Sequence, residues 1–274
     1  MVNTLEEHIQ NMISAIICRM TRFHIETFGC KLNQAESESL QRNLESAGYR
    51  PAAAVESADL LILNTCTVTH IADRKARQAV RAAVRINPEI QTVITGCYAE
   101  RQAEELSSLP GVIAVVGNTA KENLAAQLHH CGILPGQPFE DLRAGTSRTR
   151  SFIKIQDGCN NNCAYCIVPL VRPAQACSSP KSILAAINNR QAEGFREVVL
   201  TGTEIGEYRT DGLDFTGLLR QILEQTSVER IRISSLQPAE ITPELLKLWH
   251  DRRLCRHFHL SLQSGADSVL RRMR

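Results

Sequence analysis

Apolar residues in this chain fall into short unbroken runs, separated by longer stretches where they recur every three or four positions. The run Leu60-Leu61-Ile62-Leu63 is the clearest of the first kind. Such a run suits a strand buried on both faces, whereas recurrence at three and four suits an amphipathic helix. From Arg22 the two patterns alternate. Strands are predicted at Arg22–Thr27, Asp59–Asn64, Ile90–Thr95 and Val112–Val116. Helices are predicted at Asn33–Ala47, about 71–86, near 99–108, and from Thr119 with Asn118 as N-cap. Residues 131–150 hold three glycines and two prolines without periodicity and read as a linker. A second series follows, with strands Ser151–Gln156, Glu197–Leu200, Arg230–Ile233 and Phe258–Leu262. Its helices lie near 180–193, 214–225, 242–250 and from Asp267. Alternation of this kind predicts an α/β fold, parallel sheets with helices on their faces, in two domains at 22–130 and 151–274. Ahead of the first strand, Leu5, Ile9, Met12, Ile13, Ile16 and Ile17 share a helix face, so 1–21 reads as an N-terminal extension; Met20 offers an alternative start.

The chain has 274 residues, 43% hydrophobic and 22% charged, a balance that excludes a disordered or fibrous protein. A net charge of +2 leaves any nucleic-acid contact to a local patch, although 25 of the 31 cations are Arg, the better phosphate fork. No apolar run approaches the ~20 residues a membrane span needs. Glu6 and Glu7 stand where an export signal would be basic, so a cytoplasmic location is expected. Ten cysteines in that compartment read as metal ligands, reactive thiols or small buried apolar residues.

Three of them, Cys30, Cys66 and Cys97, each follow a predicted strand, at intervals of about one strand–helix repeat. In a parallel sheet the carboxyl ends of strands share one edge, where ligands bind. Three thiolates gathered there suit an iron–sulfur cluster or zinc with one position open; the alternative is three buried apolar cysteines. Three more, Cys159, Cys163 and Cys166, sit on one loop after the first strand of the second series, spaced C-x3-C-x2-C. Three thiolates on a four-iron cluster leave one iron free for another ligand. A structural zinc site with Cys177 as fourth ligand is the competing reading, though Cys177 lacks the paired C-x2-C partner such sites use. Cys18, Cys131 and Cys255 fit neither set.

The C-x3-C-x2-C loop, with Tyr165 before its third cysteine, resembles the radical S-adenosylmethionine (SAM) superfamily. Together with the upstream cysteines it resembles the methylthiotransferases. The segments Glu26–Gln34 and Ala72–Gln78 look most like the branch acting on threonylcarbamoyladenosine in tRNA. The resemblance implies a methylthiotransferase domain followed by a radical SAM (β/α) barrel. It implies a 4Fe–4S cluster on the loop that binds and cleaves SAM, and a second 4Fe–4S cluster on Cys30, Cys66 and Cys97 that handles sulfur. It also implies methylthiolation at C2 of the modified adenine at position 37 of the tRNA anticodon stem-loop, with a reductant protein as partner. A radical cofactor suits a C–H bond that has no acidic proton. Isopentenyladenosine tRNA or a ribosomal protein are the alternative substrates, and a non-catalytic metal- or RNA-binding fragment the alternative role.

Tyr165, Gly202, Thr203 and Glu204, then Ser261 and Gln263, match regions that hold SAM in the superfamily. Both later groups fall at strand carboxyl ends. Independently of any family, Arg74, Arg77, Arg81 and Arg85 share one helix face, opposite Ala76, Val80, Ala83 and Val84. A stripe of Arg without acids suits RNA phosphates; an ordinary solvated face is the alternative. After Cys166 the sequence departs from the family pattern: Pro173 replaces a glycine, and Gln175 and Ala176 replace a Glu and an Arg. Only four strand–helix units fit in the second series, so an incomplete barrel with an open edge, and weak or no turnover, is expected.

Overall fold

The computed structural model describes residues 21–135 and 149–274. The helix read over 5–17, Cys18 and most of the 131–150 connection lie outside the described residues. The chain divides into two compact units. One ends at Phe28 and resumes over Ser39–Leu142; the other combines Gly29–Glu38 with Arg143–Arg274.

In the first unit β1 (Arg22–Thr27), β2 (Arg50–Pro51), β3 (Leu60–Thr65), β4 (Gln91–Gly96) and β5 (Val112–Val116) form one all-parallel sheet in the order β2-β1-β3-β4-β5. Central β3 is buried at all six residues, which explains its lack of polar alternation. Leu60 and Ile62 pack one face with Leu40 and Leu44 of α1 (Lys31–Ser46). Leu63 and Ile94 pack the other with Ala76 and Val80 of α2 (His70–Ile86). Thr69 caps α2 by accepting from Ala72 N, starting it one residue earlier than the periodicity suggests.

Two expectations are corrected here. The helix expected near 99–108 is two short ones, α3 (Cys97–Arg101) and α4 (Ala103–Ser107), broken at Gln102. Tyr98 and Leu106, on either side of the break, are both fully buried. Nor does Asn118 cap a helix. Its backbone N–H goes to Glu100 Oε2 and its amide to Cys97 Sγ, so the next helix, α5, starts only at Leu124 and runs to His130.

In the second unit β6 (Arg150–Lys154), β7 (Gln156–Asp157), α6 (Val168–Val171), β8 (Ala176–Cys177), α7 (Pro180–Ala192) and β9 (Glu197–Thr201) come first. The hairpin β10 (Arg209–Thr210) and β11 (Leu213–Asp214), α8 (Phe215–Gln225), β12 (Arg230–Ile233), β13 (Ser235–Leu236), α9 (Pro243–Lys247), β14 (His259–Leu260) and α10 (Asp267–Met273) follow. Strands β6, β9 and β12 lie side by side, all parallel, and β14 pairs parallel with β13. Ile153, Val198, Leu200 and Ile231 bury against Ile183, Ile187, Leu218 and Ile222 of α7 and α8. The strand expected over Phe258–Leu262 is corrected to two residues. Phe258 turns onto Trp249, ring centroids 4.5 Å apart, and Gln263 at φ +62 ends the extended run. Among the described residues no helix is long and apolar enough to cross a membrane.

Candidate cluster and cofactor sites

Asp157 ends β7, and the chain then turns through Gly158 at φ +68 into the loop that carries Cys159, Cys163 and Cys166. All three thiols are half-buried. Asn161 N–H points at Cys159 Sγ (3.4 Å), Cys166 N donates to Cys163 O (3.1 Å), and Ala164 N donates to Met273 O (3.0 Å). The residues that depart from the family pattern also build this loop. An added Cβ on Gly158 would meet Pro173 O at 2.1 Å, and Gln175 N donates to Asn160 Oδ1. Burial pushes the Cys159 thiol up; the Asn161 N–H opposes this, while the charges of Glu204, Cys166 and Cys163 add to it. Thiols and a carboxylate thus share one electrostatic neighbourhood that a bound cation would relieve. Tyr165 beside them is 54% exposed.

Gln156, fully buried, staples this loop to the turn after β9: its Nε2 donates to Gly158 O (2.6 Å) and its Oε1 accepts from Glu204 N (2.8 Å). Gly202, Thr203 and Glu204 therefore stand beside the cysteine loop. Gln237 Nε2 donates to Glu204 Oε2 (2.6 Å), and Glu240, which closes a capping box on Gln237, also hydrogen-bonds Glu204. Sequence reasoning missed Gln156, Gln237 and Glu240. The capping-box spacing Gln237-x-x-Glu240 was the one visible signal, blurred by Gln at the Ser/Thr position. Ser261 donates its backbone N–H to Leu236 O just past β14, and Gln263 is exposed in the left-handed region.

Burial, then the hydrogen bond to Glu204, raises the Glu240 carboxyl to about 8. The folded chain therefore keeps a proton that the unfolded chain has released. Stability falls as pH rises from the ordinary carboxylate range to about 8 and is flat above it. Glu240→Gln, which can still donate to Glu204, is expected to flatten this slope. Urea unfolding at about pH 5 and about pH 9 reads it; an unchanged pH slope counts against the shared proton.

Cys66 and Cys97 directly follow β3 and β4, whose last residues Thr65 and Gly96 are register partners, so the two cysteines are neighbours at one sheet edge. Both are buried, and each sulfur faces an N–H: Val68 N to Cys66 Sγ (3.5 Å) and Asn118 Nδ2 to Cys97 Sγ (3.8 Å). Cys97 opens α3 instead of standing in a loop. Cys30 follows β1 along the chain, is exposed and belongs to the second unit. Among the described residues no three His, Cys, Asp or Glu side chains converge as a single metal ion requires. A four-iron cluster takes each thiolate on a different iron and needs its ligands spread around a cube. The Cys66, Cys97 and Cys159 sulfurs, each facing an N–H donor, fit such a group, whose potential these hydrogen bonds would tune.

Of the Arg stripe on α2, Arg74, Arg81 and Arg85 are exposed. Arg77 is engaged otherwise: it pairs with Glu105 (3.1 Å), hydrogen-bonds Tyr98 OH and lies over that ring. Arg81 and Arg85 instead line, with Phe28, Lys75 and Gln78, an open groove of about 550 Å³ that has no carboxylate in its wall.

The family model described as "Uncharacterized protein family UPF0004" matches residues 22–117, and that described as "Radical SAM superfamily" matches 153–274. The threonylcarbamoyladenosine tRNA methylthiotransferase MtaB of Bacillus subtilis (strain 168) is 36% identical over 269 residues, covering 92% of this chain and 59% of that one. The protein of the same name from Treponema pallidum (strain Nichols) is 31% identical over 328 residues, 93% of this chain and 68% of that one. The chain belongs to the MtaB-type radical SAM methylthiotransferases. Membership implies SAM and 4Fe–4S clusters as cofactors. The chain spans about three-fifths of the length of the curated relatives it matches. The solved structure of the radical SAM methyltransferase TsrM from Kitasatospora setae aligns with TM-score 0.59 at 15% identity, covering 91% of this chain and 60% of that one, a likeness of fold.

Proposed function

We propose that methylthiolation at C2 of N6-threonylcarbamoyladenosine at position 37 of tRNA is the reaction that this chain's sites are built for, at the weak turnover expected with Pro173, Gln175 and Ala176 after the cysteine loop. The observation that carries the reading is the cysteine loop of Cys159, Cys163 and Cys166, stapled by Gln156 to the Glu204 turn at the carboxyl end of β9. The three thiols would hold one 4Fe–4S cluster; Cys30, Cys66 and Cys97 would hold the other. When bound, SAM and the clusters supply the one-electron and sulfur-transfer chemistry that no side chain offers. The chain's own part is placement. Glu204, held through its backbone N–H by Gln156 and through its carboxylate by Gln237, presents negative charge where the amino group of SAM would sit. Tyr165 offers an exposed ring beside the thiols, and Ser261 and Gln263 lie past β14, on the side expected for the ribose.

Anaerobic reconstitution with iron and sulfide tests the reading. The expected protein is brown, holds about eight irons per chain, and cleaves SAM when reduced. With sulfide and unmodified or threonylcarbamoylated anticodon stem-loop, mass spectrometry should find the methylthio group on the latter alone. A colourless protein, or methylthiolation of isopentenyladenosine RNA instead, overturns it.

Contact with RNA falls to the groove beside α2. Phosphates would meet Arg81, Arg85 and Lys75, and Phe28 offers a ring to a base. Arg81→Ala is expected to weaken stem-loop binding and to reduce the slope of log affinity against log salt by about one. Arg77→Ala, which removes a residue already held by Glu105, should leave that slope alone. Equal slopes for wild type and Arg81→Ala would remove the groove from the RNA path.

A further inference from the structure

Arg172 is the most thoroughly enclosed cation of the second unit that has carboxylates from distant parts of the sequence around it. Its side chain is 3% exposed. One side of the guanidinium fork faces the segment that carries Cys30: Nη1 pairs with Glu36, and Nη2 reaches Asn33 Oδ1 (2.8 Å) and Glu36 Oε2 (3.4 Å). The same Nη1 reaches Asp157 Oδ1 at 3.3 Å. Asn33 Oδ1 in turn accepts from Cys30 Sγ (3.5 Å), and Asp157 Oδ1 accepts the N–H of Gly158 (2.8 Å), the residue before Cys159. A single planar group therefore touches the partner of one cysteine and the hinge of the loop that carries three others. Glu38 fastens the same segment to β6 by accepting from Ser151 Oγ (2.6 Å) and Phe152 N (3.1 Å).

A buried ion pair contributes little net stability compared with apolar side chains of equal volume, yet removing one partner leaves an uncompensated charge. Its retention here has a function if it fixes geometry. The planar fork meets Asn33, Glu36 and Asp157 from two nitrogens held at a fixed separation, whereas a lysine offers its donors from a single nitrogen and cannot span the same set. We propose that Arg172 is a positioning residue that locks the Cys30 segment to the Cys159 loop, so that cluster binding at one cysteine set strengthens cluster binding at the other. The proposal rests on the reading that both sets hold clusters. Ordering one loop through a shared clamp lowers the ordering cost left for the other, and the effect is reciprocal.

The test uses the full chain, reconstituted anaerobically, and measures the iron each cysteine set holds at equilibrium against a graded chelator. In the wild-type background, Cys163→Ala, which removes the loop cluster, should lower the affinity of the upstream set for its cluster about tenfold, and Cys97→Ala should lower that of the loop set by the same factor. With Arg172→Lys added, both cross-effects should shrink below about twofold, while circular dichroism and the unfolding midpoint of the iron-free chain stay near wild type. A purely structural arginine would lower stability without erasing the cross-effects. Cross-effects that persist in Arg172→Lys, or that are absent in wild type holding two clusters, overturn the proposal. Should Arg172→Lys fail to fold, Glu36→Gln, which keeps shape and removes the charge on the Cys30 side, carries the same comparison. Wild type that takes up only about four irons overturns the two-cluster reading, and the proposal with it.

Discussion

Cys163→Ala is expected to abolish reductive SAM cleavage and to halve the iron of the reconstituted chain, from about eight to about four. Cys163 is the middle ligand of the loop. With Cys159 and Cys166 it would fix three irons, leaving the fourth for SAM, and two thiols cannot hold that arrangement. The loop itself should survive, because its shape is set by contacts that do not use the Cys163 thiol. Gln156 holds Gly158 O, Gln175 meets Asn160, and Met273 O receives Ala164 N–H. The fall in activity should exceed the ~100-fold ceiling typical of losing a residue one shell further out. Iron assay and chromatography of the nucleoside product read both effects. Cleavage within tenfold of wild type would mean that this loop is not where SAM reacts.

Much of this was legible from the chain because runs and periods report burial directly. β3 reads as a strand since all its residues are buried, and α2 reads as a helix since Ala76, Val80 and Ala83 return every third or fourth residue. The placement of the cysteines was legible for a different reason: their spacing is local on the loop, and strand-end position recurs with the repeat. What stayed hidden involves polar groups that meet across long separations. Asn118 looks like a cap until its amide is seen on Cys97, 21 residues earlier. Arg172 and Glu36 are 136 residues apart, and nothing in either neighbourhood marks them as partners. Arg77 belongs to the stripe by spacing, but Glu105 and Tyr98 on the neighbouring short helices claim it. Periodicity places a side chain on a face; only the packed neighbour decides what it does there.

The same limit applies to glycine, and Gly96→Ala is expected to have a large effect on stability for the addition of a single methyl group. Gly96 ends β4 at φ +98 and precedes Cys97. A Cβ there would stand 2.3 Å from Thr65 O and 2.7 Å from both Thr65 N and Asn64 Oδ1. Two of those atoms are the backbone of the paired strand β3, at the centre of the sheet, and cannot rotate away. Gly194, at φ +92, supplies the comparison, because nothing lies within 4 Å of its added Cβ. Gly194→Ala should cost only the left-handed penalty, about 1 kcal/mol. Gly96→Ala adds an overlap that compact interiors accommodate at about 1–3 kcal/mol, for a total near 3 kcal/mol, a large part of the ~5–15 kcal/mol that holds a domain together. The unfolding midpoint should fall by about 10 °C in Gly96→Ala and by about a third of that in Gly194→Ala. Relief of the clash must part Thr65 from Gly96, the register pair that sets Cys66 beside Cys97. Iron retained by the upstream cysteines should therefore fall in Gly96→Ala even below its unfolding temperature. Equal midpoints for the two variants would show that the sheet edge yields freely, and that the close approach of β3 and β4 does not hold the two cysteines together.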